Sequence, residues 1–98
     1  MHVVVGPEGV TLESPDVFER FDVVRRDGAD VAAVVAEHGW GTVAGSGDVM
    51  ISLERLRAAG PDDDAWRRGL DGMIGFAGTK GWLDADGTHI QAHIIDGS

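Results

Sequence analysis

Ninety-eight residues, 43% apolar and 26% charged, supply one hydrophobic core, so residues 1–98 are read as a single domain with no room for a second. The chain has no cysteine, which excludes a disulfide framework, a thiolate zinc site and a cysteine nucleophile. Eight basic against 17 acidic residues leave a net charge of -9, which repels a polyphosphate backbone; no apolar run approaches the roughly 18 residues of a membrane span, and the first residues lack the basic and apolar regions of a signal peptide, so a cytoplasmic protein binding neither nucleic acid nor membrane is expected.

The chain opens with the β-branched run His2-Val3-Val4-Val5, turns at Gly6-Pro7-Glu8-Gly9 and returns through Val10-Thr11-Leu12, which predicts a small hairpin. Ser14-Pro15 suits one helical turn, with Ser as cap and Pro at the first helical position. Phe18 to Arg26 reads as extended, because Phe21, Val23 and Arg25 alternate with Asp22, Val24 and Arg26 and both sets carry apolar groups. Asp27-Gly28 turns the chain. Asp30 then caps a helix over 30–38 whose Val31, Val34, Val35 and His38 share one face, and Gly39 closes it. Two short strands, Trp40 to Val43 and Asp48 to Ile51, flank the loop Ala44-Gly45-Ser46-Gly47. Ser52 caps a brief helix carried by Leu53 and Leu56, with Ala59 or Arg57 completing its faces, and Gly60-Pro61 stops it.

The next helix organises the rest. Trp66, Leu70, Met73, Ile74 and Ala77 form the stripe of a helix buried on one side; one of Asp62, Asp63 or Asp64 caps it, and Lys80-Gly81 ends it. Glycines at 69, 72, 75, 78 and 81 do not suit such a helix, since an interior glycine costs about 1 kcal/mol against alanine. Each step of three rotates by roughly 60° away from a full turn, so the five do not form one ridge. Gly69 borders the apolar stripe, whereas bare backbone at Gly72, Gly75 and Gly78 suits close approach by a partner chain or ligand. Trp82-Leu83-Asp84 then leads to an Asp86-Gly87 turn and a strand from Thr88 to Ile95, with Ile90, Ala92 and Ile94 on one face and Gly97-Ser98 as a frayed end.

Strand, strand, strand, helix, strand, strand, helix, helix, strand is an α+β order, predicting a small antiparallel or mixed sheet with about three helices on one face. Such a sheet has exposed edges. Together with the glycine-bearing helix they point to a self-associating chain, most simply a symmetric dimer.

Chemistry is less legible. His89 and His93 are four apart, but on an extended strand that is about 13 Å, too far for one ion to bridge, so no metal site is expected. Either imidazole could cycle a proton beside Asp84, Asp86 or Glu37, yet an acidic chain offers such pairs by chance. Gly45-Ser46-Gly47 is no nucleophile elbow, and Gly39-Trp40-Gly41 and Gly78-Thr79-Lys80-Gly81 follow or end helices where a phosphate cradle needs a strand before it. The aspartates at 62–64 splay from a helix start instead of converging on a cation, and no cofactor is expected.

Trp66, Phe76-Ala77, Lys80-Gly81-Trp82, Asp84, Asp86-Gly87 and Ala92-His93 together resemble a group of small actinobacterial proteins over roughly the last third of the chain. That resemblance implies no activity, so no site residue is carried over from it. The expectation is therefore a small interaction or accessory module that self-associates, with an unidentified protein or small molecule as a further partner. The alternative is a small-molecule binder or enzyme whose pocket is lined by Trp40, Trp66, Trp82, His89 and His93.

Overall fold

The computed structural model describes residues 1–44 and 47–97; Gly45 and Ser46 of the expected loop, and Ser98 of the expected frayed end, lie outside the described residues. Six strands and three helices follow in the expected order: β1 (His2–Gly6), β2 (Gly9–Glu13), β3 (Asp22–Arg25), α1 (Val31–Glu37), β4 (Gly41–Ala44), β5 (Asp48–Ser52), α2 (Leu53–Ala59), α3 (Asp64–Thr79) and β6 (His89–Asp96). They form one α+β unit around a six-stranded mixed sheet of order β2-β1-β3-β6-β5-β4.

The local signals act as their chemistry dictates. Asp30, Ser52 and Asp63 each accept a backbone N–H of the first turn of α1, α2 and α3. Gly81, at φ +75°, takes the left-handed exit from α3 that a side chain would resist. Two hairpins, β1/β2 and β4/β5, are antiparallel, and the long connections produce the parallel pairs β1/β3 and β3/β6.

One parity of the strands faces the helices. Val3, Val5, Val23, Val49, Ile51, Ile90 and Ala92 share a single buried cluster with Val31, Val34 and Val35 of α1, Leu53 and Leu56 of α2, and Trp66, Leu70, Met73 and Ala77 of α3. All three helices thus cover the same sheet face. Among the described residues no helix packs on the other parity: Val4, Val24 and Ile95 align across β1, β3 and β6, beside a row of His2, Asp22, His93 and Asp48.

The expected strand at 18–26 is shorter than the sequence pattern suggests, beginning only at Asp22. Before it the chain turns, with Val17 N–H donating to Ser14 O and the Met1 ammonium donating to Val17 O and Arg20 O. The ring of Phe18 leaves the sheet and lies on α3 at Gly69, where a Cβ would fall 2.3 Å from it. Gly69 is therefore spent on internal packing. Gly60 does the same for the Trp66 indole, with a Cβ placed 2.0 Å from that ring.

A Cβ added at Gly72 or Gly75 meets nothing within 4 Å, whereas one added at Gly78 would come to 3.5 Å from Leu83 Cδ1. These environments predict opposite signs for the same substitution. Gly72→Ala and Gly75→Ala each stabilise by about 0.5–1 kcal/mol through helix propensity. Gly60→Ala destabilises by about 1–3 kcal/mol because the indole must move. Urea unfolding of the three variants checks the order.

Candidate functional site

β6 has two different neighbours on one side. β5 pairs with His89 to His93 along its other edge, whereas β3 reaches only His93 to Asp96. The first half of β6 is met by the segment after α3: Gln91 N–H donates to Trp82 O at 2.7 Å, Asp84 N–H donates to His89 O at 3.1 Å, and Leu83 bridges Ile90. Between the start of β3 and this segment the sheet leaves a notch.

Into the notch opens a groove of about 390 Å³, lined by Phe18 and Phe21 before β3, Phe76 on α3, and Trp82 after it. These are all three phenylalanines of the chain and one of its three tryptophans. Trp82 meets Phe76 edge to face, with ring centroids 6.0 Å apart and planes at 72°, and Lys80 Nζ lies 5.5 Å from the Phe76 ring centre. Phe76, Trp82 and Ile95 nevertheless remain 56%, 43% and 41% exposed. Water therefore wets a substantial aromatic surface.

The groove continues onto the open sheet face as a depression of about 240 Å³ lined by Phe21, Asp48, Trp82, Gln91 and His93. Asp48 is oriented from two sides: Gln91 Nε2 donates to Oδ2 at 3.0 Å, and His93 Nδ1 lies 3.2 Å from Oδ1. Asp22 borders the larger groove, is only 7% exposed, and bonds His2 Nδ1. Register explains this alternation of acid and imidazole, since His2, Asp22, His93 and Asp48 are successive cross-strand neighbours.

The expected tryptophan and histidine residues do not assemble as one pocket. Trp40 is buried in the core with Arg55 over its ring, and Trp66 is buried at the start of α3 with Nε1 donating to Pro15 O. Trp66 and Trp82 bracket α3, roughly 20 Å apart along its axis. Trp82 and His93 do come together. His89 lies instead beside Asp84, at 3.2 Å, and Thr88. Its Asp84 neighbour fixes the turn: partial burial works to raise that carboxyl, but the N–H groups of Thr88 and His89 and the Thr88 hydroxyl together outweigh it and hold the group below the usual carboxylate range.

Among the described residues, no group of three or more His, Asp or Glu converges to hold a metal ion, and no helix is long and apolar enough to cross a membrane. The His93 ring is 74% exposed, so it lies in water beside a carboxylate that is itself only partly exposed. Phe18, Phe21, Phe76, Ile95, Asp22 and Asp48 carry no local sequence signal for this site; only strand register and the fold of the 14–21 segment gather them. Comparison with known proteins returned no matching family model, curated protein or solved structure.

A carboxylate with a lowered folded pKa stabilises above its unfolded pKa, and that contribution disappears as pH falls through the folded value. Asp84→Ala accordingly lowers the urea midpoint at pH 7. The gap between variant and parent narrows at pH 3, below the ordinary aspartate value of about 3.9.

Proposed function

We propose that this protein is a small binding module that presents the Phe76–Trp82 face to another protein. The observation supporting it is the gathering of all three phenylalanines and Trp82 around one groove that stays open to water. Apolar surface in water costs about 25 cal/mol per Å², and aromatic clusters at the surface are the usual anchors of protein contacts. An enzymatic role has less support: among the described residues that line the depression no hydroxyl or thiol stands beside the His93–Asp48 pair, and the His93 ring is open to water.

A symmetric homodimer is the second reading, favoured by the bare backbone of Gly72 and Gly75 next to exposed Phe76 on α3. Native mass spectrometry separates the two. A monomer favours an unlike partner, and a dimer lost on Gly75→Trp favours self-association through α3.

Rings left half exposed contribute only part of what a core aromatic does. Phe76→Ser and Trp82→Ser therefore each cost about 1–2 kcal/mol in urea unfolding, short of the about 3–5 kcal/mol of removing a buried aromatic side chain. A core-sized loss at both positions contradicts a docking role for this face.

A further inference from the structure

Resting on that docking face, we infer that the depression between Phe21, Trp82 and Asp48 receives a cationic side chain, arginine or lysine, from a basic segment of a partner protein. The slot combines the two features such a side chain needs. Aromatic walls take the aliphatic stem and the face of the cation, and a carboxylate takes the charged end. Among the described residues Asp48 keeps acceptor capacity for this: a carboxylate offers about four lone-pair sites, Gln91 Nε2 donates to one oxygen and His93 Nδ1 lies within hydrogen-bond distance of the other.

Charge distribution agrees with the slot. Of the eight cations in the chain, Arg25, Arg26, Arg57 and Arg67 are held by Asp96, Glu13, Asp71 and the Asp62/Asp64 pair, while Arg55 and Lys80 lie over the rings of Trp40 and Phe76. The two connected depressions are lined by Glu19, Asp22 and Asp48 against one guanidinium, Arg20, with the Lys80 ammonium at the Phe76 rim. Among the lining residues carboxylates outnumber guanidinium three to one, the Lys80 and Met1 ammonium groups lying at the rim and on the carbonyls of Val17 and Arg20, and the whole chain adds a field of net charge -9. A second copy would bring the same sign of charge to this face. A basic segment brings the opposite sign, with apolar residues for the adjoining groove of about 390 Å³.

The test uses the full chain, labelled with ¹⁵N, and two synthetic nonapeptides of alternating leucine and arginine or alternating leucine and glutamate. The arginine peptide is expected to shift the Trp82 indole and Gln91 amide resonances, with an affinity that falls as salt is raised. Asp48→Asn, which preserves shape and acceptor oxygen, should weaken binding about tenfold or more. Glu8→Gln, the same charge change on the exposed β1–β2 turn, should alter it less than twofold. Equal weakening by both variants overturns the slot and leaves only diffuse charge attraction. Shifts at Trp82 from the glutamate peptide, or from raising the protein concentration alone, overturn the cationic occupant but leave the docking face standing. No shift at Trp82 with either peptide overturns the inference; accompanied by a core-sized stability loss in Phe76→Ser and Trp82→Ser, it removes the docking face as well.

Discussion

The last strand lies in the middle of the sheet. β6 pairs antiparallel with β5 and parallel with β3, so the β2-β1-β3 half and the β5-β4 half are one sheet only through it. This makes the hydrophobic cluster depend on contacts distant in sequence: Val3 and Val23 from the first quarter are placed against Ile90 and Ala92 from the last. Folding is consequently non-local, and neither half can bury its helices alone. The same arrangement creates the candidate site. Because β3 begins at Asp22 and the segment after α3 ends its pairing at Trp82, β6 is flanked by two partial neighbours whose junction is the aromatic groove.

Much of the fold is legible from local chemistry. Asp30, Ser52 and Asp63 mark helix starts because their side chains satisfy free amides, Gly81 marks an exit, and the stripe at Trp66, Leu70, Met73 and Ala77 gives the buried face of α3. The alternation of Ile90, Ala92 and Ile94 likewise identifies the core side of β6. These signals act within a few residues. Parallel register does not: nothing near Asp22 specifies that it will lie between His2 and His93.

The site was legible only in part, for the same reason. Trp82 and His93 share a depression, but Trp40 and Trp66 plug the core at other places, and His89 belongs to the Asp84–Thr88 turn. Phe18 and Phe21 read as strand residues because the sequence pattern continues through them. Tertiary packing overrides that pattern, since bare backbone at Gly69 accepts the Phe18 ring and the carbonyls of Val17 and Arg20 bind the Met1 ammonium. The glycine series is likewise divided by context, with Gly69 used internally, Gly78 beside Leu83, and Gly72 and Gly75 facing open space.

An exposed aromatic face in a negative field is the central claim, and the three tryptophans permit a direct measurement of it. Trp40 and Trp66 are 3% and 5% exposed, so quenching by ions reports on Trp82. Fluorescence quenching by caesium and by iodide, each normalised to N-acetyltryptophanamide, should show caesium the more effective on the protein, and the accessible fraction should vanish in Trp82→Phe. Quenching dominated by iodide, or unchanged by Trp82→Phe, would contradict the account.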